Sequence, residues 1–320
     1  MTRPRVVILL AFAAVYLIWG STYLGIRYAI ETLPPFLMAA TRFLLAGAIL
    51  FTWAAVSGEN IRASLSQWPR AFMLGALLLL CGNGGVTWAE KYIASGFAAL
   101  LIATEPLWVV LLNWAISQRR PNGKVLFGVL VGLAGVALLV GDGLGGINES
   151  LSMELVGSGV VMLSSLAWAT GSVYSSRHPI KASTSMASGM QMLAGGSLLL
   201  LLGLVTGDFH QLNLANTSWA SLVALGYLTL FGSLVAFTAY SWLLSNVTPA
   251  RAATYAYVNP VVAVLLGWVF ANERITLRLI VAAAIIVGSV VLITTYGREH
   301  APVRVAAPLH DSDCPTHPCA

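Results

Sequence analysis

Two ionisable residues lie deep inside long apolar segments of this 320-residue chain. Arg42 lies about seven residues into one segment and Glu105 about ten residues into another. At about 1.5 Å per helical residue, Arg42 would lie about 10 Å inside a membrane and Glu105 near its midplane. Ionisable groups are costly at that depth and are functional candidates. Arg42 could bind a carboxylate, and Glu105 an amine or a proton.

The composition excludes an ordinary water-soluble protein. Hydrophobic residues make up 58% of the chain and charged residues 9%, whereas a soluble domain carries about 25% charged residues. The apolar runs are long and unbroken, unlike the alternating segments of about ten residues that form a transmembrane barrel. The sequence therefore predicts an all-α membrane protein.

Ten segments are long enough to cross a bilayer as helices, which takes about 20 residues each. Arg3 and Arg5 precede the first segment and no clear cleavage site follows, which predicts a retained span rather than a signal peptide. Glu90 and Lys91 lie near the outer end of the third, where their side chains can reach water. The segments lie at about 6–27, 35–56, 70–90, 95–116, 123–141, 154–176, 184–205, 217–243, 248–271 and 277–296.

The distribution of positive charge predicts the orientation, because cytoplasmic loops collect Lys and Arg. With the N-terminus in the cytoplasm, twelve of the 17 Lys and Arg residues lie on the inside, and Arg42 lies within a span. Both termini are therefore predicted to be cytoplasmic. The four on the outside are Arg27, Lys91, Arg274 and Arg278.

The two halves of the chain resemble each other. Leu17–Ser21 aligns with Leu166–Thr170 at an offset of 149, and Glu105–Pro106 aligns with Asn259–Pro260 at an offset of 154. Five spans per repeat make the second copy enter from the opposite membrane face. Such inverted repeats are typical of secondary transporters, with the site near the midplane. The predicted domains are a first five-helix repeat at 1–146, a second at 147–297 and a disordered cytoplasmic tail at 298–320.

The repeat links Arg42 to Glu105. Their counterparts are Gln191 and Asn259, so both charges become neutral amides in the second half. Because a lone buried charge would be left uncompensated, this joint replacement predicts a direct or water-bridged pair. The pair could be functional or could hold two spans together. A further hypothesis makes Glu105 the site of a coupling proton.

The chain resembles the EamA-type ten-helix inner-membrane exporters of the drug/metabolite transporter superfamily, over residues 1–297. One departure is Arg119, which occupies the place in the first half equivalent to Glu273. The resemblance implies movement of metabolites, amino acids or drugs through a central cavity, in a bacterial inner membrane. It rests on Trp19-Gly20-Ser21, Arg42-Phe43, Glu105-Pro106, Asn259-Pro260 and Glu273-Arg274-Ile275-Thr276.

Pro106 and Pro260 lie at equivalent mid-span positions. Proline removes a backbone hydrogen bond and kinks a helix, so both are predicted to be hinges or gates; a static bend is the alternative. Polar and aromatic side chains near the kinks form the predicted substrate site, although each aromatic could instead serve packing or an interface belt. The predicted site residues are Trp19, Tyr23, Arg42, Asn83, Trp88, Glu105, Trp168, Gln191, Tyr240, Tyr255 and Asn259.

These features predict a secondary transporter that exports small amphipathic metabolites, amino-acid-like compounds or drugs by alternating access. One alternative is uptake or exchange of sugars or nucleotide sugars, although a nucleotide would require several basic residues and Arg42 alone lies deep inside. Another is a membrane-embedded enzyme, which would need a catalytic pair. The expected partners are a small-molecule substrate and the lipid bilayer, with protons as a candidate coupling ion, no nucleic acid, and a monomeric or weakly dimeric state.

Signals for other chemistry are weak. Gly141–Gly146 fits the GxGxxG pattern, but no βαβ unit surrounds it, so it is interpreted as a linker between the halves. Cys314, His317 and Cys319 could contact a metal, yet three ligands in a tail would make a weak site. The sequence predicts no catalytic residue, no cofactor and no metal.

Overall fold

The computed structural model describes residues 3–59, 61, 65–118, 120–140 and 149–296. Within these ranges the chain is almost entirely helical and contains no strand. Three predictions lie outside the described residues: the linker at 141–146, the boundary between domains at 146/147 and the tail at 298–320. Arg119 also lies outside them.

Nine helices of the described ranges are long and apolar enough to cross a membrane, and a tenth is apolar over Leu277–Ile293. Apolar runs adopt this form because lipid offers no hydrogen-bond partners, and a helix satisfies its own backbone. The first and sixth helices begin before their apolar parts, at Arg3 and Glu149. In chain order, spans one to ten are Val6–Ala29, Pro35–Val56, Trp68–Ala89, Ser95–Ser117, Gly123–Val140, Ser152–Arg177, Thr184–Thr206, Trp219–Asn246, Ala253–Ala271 and Leu277–Tyr296.

Spans four and nine are broken helices. Span four restarts at Glu105–Ser117, and span nine restarts at Asn259–Ala271 after a 3-10 segment, Ala253–Tyr257. Pro106 and Pro260 lie in the first turn of the restarted halves, where proline needs no backbone hydrogen bond. The mid-span irregularity follows the sequence-based expectation, but each proline starts a helix instead of kinking a continuous one.

The repeat is visible in other backbone irregularities. Spans three and eight each contain a ten-residue π-helical segment, Gly75–Gly84 and Leu228–Phe237, at an offset of 153. Spans four and nine both end at a left-handed residue, Gln118 and Asn272. Residues of L chirality adopt this conformation mainly at helix ends. The irregularities of one repeat thus recur in the other.

The two repeats pack symmetrically. Span two contacts span seven and span five contacts span ten, while span one packs on eight and nine as span six packs on three and four. Glycine permits the closest of these approaches: a Cβ at Gly47 would lie 2.9 Å from the backbone nitrogen of Leu193 in span seven. With five spans each, the repeats are inverted relative to the membrane, and a central space lies between them.

Candidate functional site

A cavity of about 60 Å³ lies between the two repeats. Span one lines it from Trp19 to Ile26, and span three lines it from Leu79 to Val86. These are the C-terminal parts of both spans, so the cavity occupies the half of the bundle that holds Ala29 and Ala89. We call this half the outer half, because the charge distribution predicts that it faces the outside.

The structure gathers most of the predicted site residues around this cavity. Glu105 and Tyr240 do not line it, but both contact Tyr255, which does. The seven predicted residues that line it are Trp19, Tyr23, Arg42, Asn83, Trp168, Tyr255 and Asn259.

Trp88 and Gln191 lie elsewhere. The ring of Trp88 packs on the ring of Tyr92, with 4.9 Å between centroids. Gln191 is buried in span seven where that helix crosses span three, and a Cβ on Gly75 would lie 2.9 Å from its backbone oxygen. Neither residue is among the described residues that line the cavity.

Arg42 reaches from span two across to span eight. It is 2% exposed, and its Nε donates to Ser233 Oγ at 2.8 Å. The guanidinium carbon lies 4.7 Å from the ring centroid of Phe43. Nη1 has no hydrogen-bond partner among the described residues. A buried donor without a partner costs free energy, so this nitrogen is suited to bind a ligand at the cavity wall.

Glu105 begins the second half of span four and is 1% exposed. The Tyr255 hydroxyl donates to its Oε2, whereas Oε1 has no partner among the described residues. Among the described residues no direct ion pair joins Glu105 to Arg42, so the direct form of the expected pair is not formed, and the water-bridged form stays a prediction. Each charged group instead forms a hydrogen bond with a hydroxyl of the second repeat. Arg42 bonds Ser233, and Glu105 bonds Tyr255.

Asn259 occupies in span nine the position of Glu105 in span four. It is 2% exposed and lines the cavity. Neither its Oδ1 nor its Nδ2 has a partner among the described residues. The amide therefore offers one acceptor and two donors to a ligand.

An aromatic cluster of Trp19, Trp168, Tyr240 and Tyr255 packs at the inner side of the cavity. Neighbouring ring centroids in it lie 4.9 to 5.8 Å apart, a favourable range for tilted and edge-to-face contacts. The indole nitrogen of Trp19 donates to Gly232 O at 3.2 Å, and that of Trp168 donates to the Tyr240 hydroxyl at 3.2 Å. The cluster joins the first repeat to the second.

The site also contains glycine and serine residues that the sequence did not predict. Gly232 and Ser233 hold Trp19 and Arg42, yet nothing in the sequence distinguishes them from other small residues of apolar spans. Thr22 and Ser164 also line the cavity. Their contacts with the site depend on how the spans pack together, which the sequence does not reveal.

The predicted exposure of Glu90 to water is wrong. This residue was predicted to reach water at the outer end of span three, but it is 0% exposed, and neither carboxylate oxygen has a partner in the described part of the chain. Lys91 beside it is exposed, as expected.

The EamA-like transporter family matches the chain twice, over residues 5–141 and 155–295. The chain belongs to this family. The two matched ranges support the architecture of two repeats. The EamA chain is therefore a membrane transporter, with a lipid bilayer as its environment and small molecules as its substrates.

Individual relatives agree with this assignment. The "Uncharacterized inner membrane transporter YedA" of Escherichia coli K12 is 39% identical over 89% of this chain and 89% of its own. The "WAT1-related protein At3g02690, chloroplastic" of Arabidopsis thaliana is 22% identical over 87% of this chain and 67% of its own. The name of the E. coli relative and the apolar helices support an integral protein of a bacterial inner membrane. Relatives named as transporters also point to a non-enzyme.

The fold also occurs among solved structures, and a crystal structure is an example. That crystal structure is 23% identical to the EamA chain and covers 91% of it and 98% of its own chain, with a TM-score of 0.66.

Proposed function

We propose that this EamA transporter exports small amphipathic, amino-acid-like metabolites or drugs by alternating access. The observation that carries the proposal is a cavity between the repeats where buried polar atoms without partners lie beside aromatic rings. Arg42 Nη1 and the Asn259 amide are those atoms, and Trp19, Trp168 and Tyr255 provide rings.

The lining suits a ligand with one polar and one apolar end. An arginine N–H forms strong, charge-assisted bonds to a carboxylate, and the aromatic faces cover apolar carbon. Glu105 does not line the cavity, but its unbonded Oε1 becomes available to an amine if the cavity widens past Tyr255, to which Glu105 is bonded. A nucleotide sugar fits less well, because Arg42 is the one basic residue among the described lining residues.

Alternating access is supported by the unequal closure of the two halves. The cavity lies in the outer half, while the aromatic cluster and a 2.6 Å bond between Tyr16 Oη and Thr254 Oγ1 close the inner half. At about 60 Å³ the cavity is far below the roughly 300–1,000 Å³ of a drug-sized site, so binding requires widening. We assign the movement to the breaks before Pro106 and Pro260, which adjoin Glu105 and Asn259.

The first test compares metabolites in the medium of cells that overproduce the wild type, Arg42→Gln, Glu105→Gln or Arg251→Gln. One class of amphipathic compounds should accumulate outside cells with the wild type. Loss of a charged hydrogen bond, about 1.5–3 kcal/mol, should reduce export by Arg42→Gln at least about tenfold. Arg251 is an exposed arginine of the short helix Pro249–Ala252 and serves as the matched control.

The outcomes separate the steps of the proposal. Equal accumulation with Arg42→Gln and the wild type would remove Arg42 from the substrate site, and equal accumulation with Glu105→Gln would give Glu105 a structural role. No accumulation with a correctly inserted wild type would overturn export and favour uptake.

A further inference from the structure

Three charged residues from separate parts of the fold meet at the outer end of the bundle. Glu90 follows the last residue of span three, Arg27 lies near the end of span one, and Glu273 lies in the loop between spans nine and ten. The carboxylate of Glu90 lies within electrostatic range of both Glu273 and Arg27. We call this group the outer charge cluster. It is separate from the substrate site described above.

The carboxylate of Glu273 accepts hydrogen bonds from the start of span four. Its Oε1 accepts from the backbone nitrogen of Ser95 at 2.8 Å and from Ser95 Oγ at 2.7 Å, and its Oε2 accepts from the backbone nitrogen of Gly96 at 3.1 Å. These nitrogens begin span four, where free N–H groups and the helix dipole favour negative charge. Through this contact the second repeat caps a helix of the first.

Glu90 has the opposite environment. Its side chain is 0% exposed, and neither carboxylate oxygen has a partner in the described part of the chain. Arg27 does not neutralise it by a direct bond: Arg27 Nη1 donates to the backbone oxygen of Glu90 at 3.0 Å. Glu273 accepts three hydrogen bonds and Glu90 accepts none among the described residues, a division that makes Glu90 the candidate for proton binding.

The charged and titratable neighbours of Glu90 reinforce this division. Burial raises the pKa of Glu90 well above its ordinary value, Glu273 raises it further, and Arg27 opposes them. Glu90 therefore binds its proton as the pH falls through this raised pKa. Tyr23 of span one also faces it, and Lys91, the next residue along the chain, is exposed.

The cluster has a cavity on each side of it, one lined by Glu273 and one lined by its neighbour Tyr23. A second cavity, of about 240 Å³, lies beside Glu273 and is bordered by the exposed residues Glu154 and Arg274. On the inner side, Tyr23 lines the central cavity and lies within electrostatic range of the carboxylates of both Glu90 and Glu105. A change in the charge of Glu90 therefore changes the electrostatic potential at Tyr23, on the cavity wall.

We propose that Glu90 is a proton-binding site through which the external pH drives the transport cycle. Proton binding converts its carboxylate into a neutral carboxyl group and removes the like-charge repulsion toward Glu273. The bonds between Glu273 and the start of span four then strengthen, which favours closure between the repeats at this end. The coupling part of the proposal rests on the proposed transport function, whereas proton binding itself does not.

The direct test is an infrared pH titration of the full-length protein in lipid vesicles, with protons as the ligand. The wild type should show the band of a protonated carboxyl group that persists above the usual pH range of glutamate. Glu90→Gln should lose this band. Glu154→Gln, which alters an exposed glutamate of the same end, should keep it. Glu90→Asp retains a titratable group and should show a shifted band, which guards against a folding defect in Glu90→Gln.

A second arm repeats the metabolite export assay at two external pH values. Wild-type export should change with external pH, and export by Glu90→Gln should not. An unchanged infrared band in Glu90→Gln would overturn proton binding. A lost band with an unchanged pH dependence of export would overturn coupling. If the wild type exports nothing, the export function fails, and the infrared titration still decides whether Glu90 binds the proton.

Discussion

Gly232 creates room for Arg42 by having no side chain. A Cβ at this position would lie 2.8 Å from Arg42 Nη2 and 3.0 Å from Thr22 Cγ2. The same glycine offers its carbonyl to Trp19. One residue of a π-helical segment therefore positions both the buried guanidinium and an indole of the aromatic cluster.

Gly232→Ala should displace Arg42 and impair transport. Overpacking of this kind costs about 1–3 kcal/mol, so the melting temperature should fall and export should fall further than that of the matched control. Gly226→Ala is the control, since a Cβ on Gly226, in the same span, would meet nothing within 4 Å. Thermal unfolding in detergent and the export assay measure the two effects. Wild-type export by Gly232→Ala would show that Arg42 tolerates displacement.

At the scale of elements, the broken spans position the candidate binding groups. Each break ends one half-helix and starts another at Glu105 or Asn259, so these residues occupy helix starts rather than helix interiors. The first turn of a helix has free N–H groups, and proline fits there without loss. Proline therefore allows irregular backbone at membrane depth, which is tolerated where it lines a cavity.

Pro106→Ala should let span four continue through its break. Alanine restores a backbone N–H and removes the ring that hinders helix continuation. Hydrogen exchange at Glu105, the first residue after the break, should slow, and export should fall severalfold without a large loss of stability. Pro35→Ala, at the helix start of span two, is the control. Faster exchange, or wild-type export with slowed exchange, would contradict a hinge before Pro106.

At the scale of the whole molecule, inversion of the repeats explains why equivalent residues have different surroundings. Arg42 lines the cavity, while its counterpart Gln191 is packed where spans three and seven cross. A position that lines the cavity in one repeat is therefore covered by a neighbouring helix in the other. Alternating access would exchange these surroundings.

The orientation of the molecule can be tested with single cysteines in a background without Cys81, Cys314 and Cys319. Lys91→Cys should react with a membrane-impermeant maleimide in intact cells, and Lys181→Cys should react only after permeabilisation. Both lysines are exposed in the structure, so accessibility to the reagent decides the result. The reverse pattern would place the outer half toward the cytoplasm and would reverse the direction assigned to proton binding.

The spans and the repeat could be predicted because their signals are local. A run of about 20 apolar residues identifies a membrane-spanning helix wherever it occurs. The offset between the two halves can likewise be measured on the sequence without knowledge of packing. Glu105–Pro106 and Asn259–Pro260 were matched in this way, and both begin half-helices in the structure. The predicted residues that line the cavity come from spans one, two, three, six and nine, and they were chosen as polar or aromatic groups near the two prolines.

The partners of the polar residues could not be predicted in this way. Arg42 bonds Ser233, which lies 191 positions away, and Glu105 bonds Tyr255, which lies 150 positions away. The sequence suggested that the two charges would satisfy each other, because both are replaced by neutral amides in the second half. Hydroxyl groups are common in membrane spans, and only the assembled bundle shows which of them lie close to Arg42 and Glu105.

The sequence by itself determined that this protein is a helical membrane transporter built from an inverted repeat, since hydropathy, loop charge and repeat offset require no tertiary contacts. The tertiary structure alone decided that Glu90 is buried without a partner while Glu273 caps span four. The physical reason is that solvation and hydrogen bonding of a side chain depend on which helices surround it. That arrangement arises only when distant segments pack together.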